Sequence, residues 1–505
     1  MGSYVIASDL GTGSCKTVVI DNNGVVIGSA QAEYQSKYLQ PGWVEQHPED
    51  WVQAVGITVR EALSKSKICP DDVAAFGIVG VTHNAVLLDI DGEILRPCIL
   101  YLDTRSQLEC SDLYKRWGKE IFSRTLNSIS PIWTWPQLLW VKRNQPETWV
   151  KVNKILFQKD YVRNRLAPSF VSDTIDVEGS LLFDPIQNVW IKEFIEDLEI
   201  DISVFPEVLS PTEIAGHIDQ AGSILTGLPE GTPVITGTTD TAAEVFGAGA
   251  VKPGHGTIKL ASVGRITCVT TQPILHPNSI NYRHVLDGLW YPGTSTKYAS
   301  AAFRWLRDVM WPGETFITMD KAAQNVPAGC NGLIFHPHLQ GEWAPYWDHN
   351  LRGDFLGLTM RHSRPHLSRA VMEGVSFSLR AAMEYTQKFG LPVDEIVLIG
   401  RGSISSLWAQ IISNVLNRPI HIPVEKDAAY GAALITGIGA GIFPKESEGI
   451  RSLIKFEKER IPNPLAVKKY DELFNIYQEA DEVIKLISQS LTVFDEKYAK
   501  KLEES

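Results

Sequence analysis

Cysteine is sparse in this chain and wrongly spaced for cysteine chemistry. The six, Cys15, Cys69, Cys98, Cys110, Cys268 and Cys330, form no Cys-x-x-Cys pair and no zinc spacing. That excludes a zinc module and points to a reduced, cytoplasmic protein. Positive charge is also short: 47 Lys and Arg stand against 59 Asp and Glu, a net of −12. A broad nucleic-acid footprint is therefore not expected. No apolar run reaches membrane length and no secretory leader is legible, so no membrane partner is expected either. Two common nucleotide fingerprints are missing as well. A Walker A loop needs Gly-Lys-Ser/Thr opening a helix. A dinucleotide fingerprint needs a third glycine three residues after Gly13, where Lys16 stands.

What is present begins at Asp9-Leu10-Gly11-Thr12-Gly13-Ser14-Cys15-Lys16. The β-branched runs on either side, Tyr4 to Ser8 and Thr17 to Asp21, favour strands, so the octet bends a hairpin. Gly11 and Gly13 let backbone N–H groups approach an anion. Thr12 and Ser14 add hydroxyls, Lys16 adds a cation, and Asp9 suits a water-mediated metal contact. An ordinary Gly-rich turn is the plainer alternative. Val25 to Gly28 supply a third strand. Pro48, Glu49 and Asp50 suit the first turn of a helix that buries Trp51, Val52, Val55, Val59 and Leu63. A strand over Val73 to Val81 completes a βββαβ order, as in an α/β domain.

At 505 residues two domains are the natural expectation. The second half echoes the first. A hairpin bends at Ala261-Ser262-Val263-Gly264, and a helix is expected over Lys297 to Met310. The buried-type strand Glu395 to Ile399 ends at Gly400-Arg401-Gly402-Ser403 before a helix near Leu407 to Leu416, a pattern suited to an anion or nucleotide. Between the halves, Pro233 to Gly237 reads as a short strand. Asp240 then falls where a helix should start, either as its N-cap or as a general base at a domain junction.

In this order and spacing the motifs resemble the FGGY carbohydrate kinase family of the actin-like ATPase superfamily, its xylulokinase branch most of all. The resemblance spans Asp9 to about Gly441. It is carried by Asp9-Leu10-Gly11-Thr12 with Lys16, Pro41-Gly42-Trp43-x-Glu45-Gln46, Val81-Thr82-His83-Asn84, Asp103-x-Arg105, Asp240, Gly341-Glu342, Glu373-Gly374 and Gly400-x-Gly402-Ser403. It implies an α/β fold of two actin-like, ribonuclease H-like ATPase domains with βββαβα cores flanking a catalytic cleft. Residues 1–248 would be the N-terminal, sugar-binding domain, 249–445 the nucleotide-binding domain, and 446–505 a helical tail packed on the latter. The implied activity is ATP-dependent phosphorylation of a sugar hydroxyl, a ketopentose such as D-xylulose first, with Asp240 as base. Thr82, His83, Asp103, Asp240 and Thr241 would bind sugar. Gly11, Thr12, Gly13, Ser14, Lys16, Ser262, Gly264, Gly400, Gly402 and Ser403 would bind the nucleotide. Asp9 and Asp240 would hold hydrated Mg2+. The partners are then the sugar and ATP, and dimers are common in the family.

The departures are specific. Ala261-Ser262-Val263-Gly264 keeps one hydroxyl and one glycine of the usual Gly-Thr-Ser-Gly, and Arg401 replaces a glycine. Ser300 also replaces one. Thr241 follows Asp240 where xylulokinases carry Asn, and Thr82 and Asn84 replace Met and Gly. A tetritol, tetrulose or 6-deoxyketose kinase, or a catalytically weak sugar and ATP sensor, are the alternatives these changes raise. His83 reads as a sugar contact or a core histidine. Asp103 and Arg105 read as a structural pair or as sugar ligands.

Overall fold

The computed structural model describes residues 3–503. The chain forms two compact units. The first comprises Met1–Val251, Thr271–Tyr291 and Glu425–Lys455; the second comprises Lys252–Thr270, Pro292–Val424 and Phe456–Ser505.

In the first unit, β1 (Tyr4–Leu10), β2 (Ser14–Asp21), β3 (Val26–Glu33), β4 (Val73–Gly80), β5 (Ile214–His217) and β6 (Pro233–Ile235) form one sheet. Its order is β5-β6-β4-β1-β2-β3, with β1, β4 and β6 parallel. The helix Pro48–Ser66 packs against β2 and β3, and the helix Ala428–Gly439 packs on β1 and β4. Val5, Ile6 and Ala7 are accordingly buried in succession, as a strand covered on both faces requires. The helix Pro48–Ser66 starts as expected. The His47 ring accepts from the Glu49 N–H, Pro48 opens the first turn, and all five anticipated apolar residues are buried. The sequence reading missed two short strands, Lys37–Gln40 and Trp43–Gln46, which pair across the Pro41-Gly42 turn.

In the second unit, β7 (His255–Leu260), β8 (Gly264–Cys268), β9 (Gly293–Thr296), β10 (Glu395–Ile399) and β11 (Ile420–His421) run in the order β9-β8-β7-β10-β11. This repeats the first sheet: an antiparallel three-strand meander, then parallel strands added beside its first member. The echo expected from sequence is thus a repeated topology. The helix expected from Lys297 starts at Ser300 instead. The N–H groups of Ala299 and Ser300 are bonded to the carbonyls of Ser262 and Ala261, which ties those residues to the hairpin bend.

The compact units divide the chain differently from the boundaries at 248 and 445. Residues 271–291 and 425–455 belong with the first unit. Asn127 and Asn281 exchange hydrogen bonds, Arg283 pairs with Glu178, and Gly431 packs on Ala243. The tail helix, Pro464–Glu503, lies in the second unit and buries Val467, Tyr470, Phe474 and Tyr477. Glu504 and Ser505, the end of the expected tail, lie outside the described residues. Among the described residues no helix is long and apolar enough to cross a membrane. None of the six cysteines is in a disulfide.

Candidate active site

Three loops of the first unit leave the sheet side by side, because β1, β4 and β6 are parallel and end on one edge. The Val81 N–H donates to the Leu10 carbonyl at 3.1 Å, and the Gly80 N–H to the Thr238 carbonyl at 3.2 Å. The hairpin 11–13, the turn 81–84 and the segment 236–240 are therefore neighbours. Asp9 on β1 and Asp240 after β6 are separated by β4 alone, about 10 Å between backbones at ordinary strand spacing.

The hairpin is rigidly framed. The Gly11 N–H meets the Ser14 carbonyl at 3.0 Å, and Gln46 Nε2 donates to the Thr12 carbonyl at 2.6 Å. The Tyr34 hydroxyl donates to the Gly11 carbonyl. Gly13 is exposed, and a Cβ there would touch nothing. Lys16 is paired with Asp427, the residue before the helix Ala428–Gly439. Both partners are partly exposed, so the pair is worth below ~1 kcal/mol to stability. Cys15 is buried, its thiol pushed up to about 12 by burial, and it packs rather than reacts.

Capping of the helix Asp240–Gly247 falls to Thr239 and not to Asp240. The Thr239 hydroxyl accepts from the Ala242 N–H at 3.1 Å. Asp240 is the first helical residue, half-buried, and its Oδ1 accepts from the Thr241 N–H at 2.6 Å and the Thr241 hydroxyl at 3.2 Å. The approach to this residue depends on Gly237. Its φ is 71°, and a Cβ there would stand 1.8 Å from the Ile78 carbonyl oxygen.

His83 is buried, with φ 48°, and its ring lies 5.0 Å from that of Trp133. Burial pulls its imidazole down to about 3, so it is neutral near pH 7. Its Nδ1 has no hydrogen-bond partner among the described residues, which a buried ring nitrogen rarely tolerates. Thr82 beside it is half-buried. Asn84 Oδ1 accepts from the Tyr101 N–H at 2.8 Å.

Asp103 is differently employed. Arg105 grips both its oxygens, at 2.9 and 2.7 Å, and the Val44 N–H adds a third bond at 2.6 Å. Arg105 also reaches Glu45 at 2.7 Å and stacks 3.9 Å over Trp43. This is the structural pairing of the two alternatives the sequence left open. Asp103 braces the segment 43–46, whose Gln46 holds the hairpin.

In the second unit, β7 and β10 are parallel neighbours, with Lys259 opposite Ile399. The bend 261–264 and the segment 400–403 consequently emerge together. Ser262 is exposed. Gly264 is buried against Thr296, Gly400 and Gly402 lie against Leu260, and the Ser403 hydroxyl donates to the Gly400 carbonyl at 2.7 Å. Arg401 is exposed. One short helical turn, Arg401–Ile404, precedes the helix Ser406–Leu416, which Ser405 caps.

Sequence reasoning missed a buried ionic cluster beneath the turn 81–84. Lys159 contacts Asp160, Asp173 and Asp176 at 2.6, 2.8 and 3.3 Å, with Arg163 also on Asp160. The available signal was the adjacent opposite charges Lys159-Asp160, one residue beyond the apolar run Ile155-Leu156-Phe157. Asp427 was also missed, although Asp before Ala428-Ala429 marks a helix start.

The donor set at the sheet edge is one of hard carboxylate oxygens. Among the described residues no group of three or more His, Cys, Asp or Glu side chains is arranged to hold a metal. Carboxylate oxygens are the donors Mg2+ takes, usually one or two of them together with substrate phosphates.

Comparison with known proteins agrees with this arrangement. Residues 4–247 match the N-terminal domain model of the FGGY family of carbohydrate kinases, and residues 264–440 its C-terminal domain model. A xylulose kinase of Bacillus subtilis is 30% identical over 497 residues, covering 97% of this chain and 99% of that one. The crystal structure of a "xyloylose kinase" from Brucella ovis is 30% identical, with a TM-score of 0.87, covering 96% of this chain and 100% of that one. That of a gluconate kinase from Lactobacillus acidophilus is 27% identical with a TM-score of 0.87, covering 95% and 98%. The fold is therefore that of the sugar kinases, and overall likeness does not separate the two substrates. The chain belongs to the FGGY family of carbohydrate kinases.

Proposed function

We propose that this sugar kinase transfers the γ-phosphoryl group of ATP to a hydroxyl of a ketopentose, xylulose-like, with Asp240 as general base. The observation that carries the reading is Asp240 itself. It opens a helix that Thr239 already caps, beside the hairpin 11–13, with its Oδ1 oriented by Thr241. Asp240 takes the proton of the sugar hydroxyl as that oxygen attacks the γ-phosphorus; the bond to the ADP oxygen breaks and ADP leaves. Such a base contributes roughly 10²–10⁴-fold.

The amides of Gly11, Thr12, Gly13 and Ser14, with Lys16, stabilise charge on the phosphoryl group in flight. Ser262, Gly264, Gly400, Gly402 and Ser403 hold the nucleotide. Asp9, with Asp240, would hold Mg2+ through water, which would neutralise phosphate charge when bound. His83, Thr82 and Thr241 read the sugar. The unpartnered Nδ1 of His83 supports this, because a sugar hydroxyl would satisfy it. Asp103 acts as a brace in this reading.

The cations around His83 favour a neutral sugar over an aldonate. Lys159, Arg163 and Arg283 are each engaged by carboxylates, so none is left to receive a substrate carboxylate. The likeness to a gluconate kinase makes gluconate the necessary rival. The test is MgATP-dependent ADP release over ketopentoses, 6-deoxyketoses, tetritols, glycerol and gluconate, with Asp240→Asn as the blank. A preferred ketopentose and an inactive blank are expected. Preference for gluconate would overturn the substrate, and near-normal turnover of Asp240→Asn would overturn the base.

A further inference from the structure

The cluster around Lys159 is an unusual thing for a core to contain. Lys159, Arg163, Asp160, Asp173 and Asp176 are all buried. Two cations face three carboxylates, and buried ion pairs seldom add net stability over apolar packing. Burial alone would drive the Lys159 ammonium down, but its three carboxylates outweigh that and hold it charged. Burial pushes the Asp176 carboxyl up to about 7, against the pull of Lys159.

What the cluster touches explains it better than stability does. Asp173 Oδ1 accepts from the Thr238 hydroxyl at 2.9 Å, two residues before Asp240. Arg163 donates to the Thr236 carbonyl at 2.8 Å. On the other side, Asp176 Oδ1 accepts from the His83 N–H at 2.7 Å, and Gln158 Oε1 from the Val81 N–H at 2.8 Å. Gln158, Arg163 and the two carboxylates give each loop two of its contacts, and Lys159 joins the carboxylates that hold Thr238 and His83. The turn 81–84 has no regular structure of its own, and the segment 236–239 has a single bridge, Thr239 to Gly80, before the helix that opens at Asp240. His83 in particular adopts a positive φ that its neighbours must enforce.

We propose that Lys159 is a positioning residue of phosphoryl transfer: through Asp173 it sets the segment carrying Asp240, and through Asp176 the turn carrying His83. The inference rests on the reading of Asp240 as base and His83 as sugar contact. It assigns separable effects to the two arms. Loss of the Asp173 arm misplaces the base and lowers kcat. Loss of the Asp176 arm misplaces the sugar contact and raises sugar KM.

The experiment uses the full chain and measures kcat, sugar KM and Tm together. Lys159→Met leaves the buried carboxylates of Asp173 and Asp176 without their cation and is a poor probe if it does not fold, so the arms are cut singly. Thr238→Val removes one hydroxyl at nearly constant volume. It should lower kcat roughly 10- to 100-fold, the scale of a sub-ångström to 1 Å misplacement, with sugar KM within about twofold and Thr238→Ser restoring turnover. Asp176→Asn should raise sugar KM several-fold with kcat little changed. If Thr238→Val keeps wild-type kcat while Asp240→Asn is inactive, the positioning role is wrong and the catalytic reading stands. Equal effects of both variants on kcat and KM, in step with lost Tm, would make the cluster merely structural. Turnover by Asp240→Asn would remove the reading on which the inference depends.

Discussion

The substitution Gly431→Ala separates helix propensity from tertiary packing by sign. Gly431 lies in the second turn of the helix Ala428–Gly439. On propensity alone alanine should stabilise an interior helical position by about 1 kcal/mol. The packing says otherwise. A Cβ at Gly431 would stand 1.8 Å from the Ala243 carbonyl oxygen and 2.6 Å from its carbon, and a Cβ at Gly247 would stand 2.7 Å from the Gly431 Cα. Carbon and carbonyl oxygen come no closer than about 3.3 Å even in favourable contacts. The two helices must therefore part by roughly 1.5 Å at this crossing. Overpacking of this kind costs about 1–3 kcal/mol, occasionally more, so after the propensity gain the net expectation is a loss of up to about 2 kcal/mol. The displaced partner is the helix that begins at Asp240, so kcat should also fall, by up to roughly 10²-fold for a 1 Å displacement. Urea denaturation gives the stability change and steady-state ADP release gives kcat. Gly118→Ala is the matched control, since its Cβ would meet only the Tyr114 side chain, at 3.3 Å; it should gain up to about 1 kcal/mol. A gain for Gly431→Ala equal to the control, with kcat unchanged, would refute the close crossing.

Two buried histidines, one in each unit, should make stability respond to pH in opposite directions. His83, held near 3 by burial against an ordinary 6.5, stays neutral when folded but protonates when unfolded. It makes stability fall as pH drops below 6.5, by about 2 kcal/mol at pH 5, and His83→Gln should flatten that limb of a Tm-against-pH curve. His338 in the second unit is raised to about 9. Burial opposes its charge, but hydrogen bonds to Asp481 and Glu342 prevail. Its contribution, about 3 kcal/mol at most, is complete below pH 6.5 and is lost as pH rises through 9; an unchanged alkaline limb in His338→Gln would count against it. Arg105→Lys keeps the charge but loses the fork on Asp103 and the stack on Trp43. A loss of about 2–4 kcal/mol by urea denaturation is expected, and a change below about 0.5 kcal/mol would show that a point charge suffices.

Local chemistry determined what lay within a few residues. The β-branched runs around Gly11 and Gly13 made a hairpin, because glycines between strand formers leave the backbone few other choices. Pro48-Glu49-Asp50 started a helix where the first-turn proline and dipole arguments put it, and Ser262 and Gly264 fell on a bend for similarly local reasons. The family was legible too, since the order of such motifs survives at identities where single residues do not. The tertiary structure decided what depends on partners far away in the chain. Thr239 or Asp240 could each have capped the helix, and only packing at the end of β6 assigned the task to Thr239. Asp103 could have faced a ligand until Arg105, Glu45 and the Val44 amide converged on it. Lys16 meets Asp427 across 411 positions, and Lys159 meets carboxylates that arrive on a separate loop. No periodicity records such pairings. Those of Lys159 follow from burial, which leaves a charged group no water to turn to and makes the nearest opposite charge, wherever the chain has brought it, its partner.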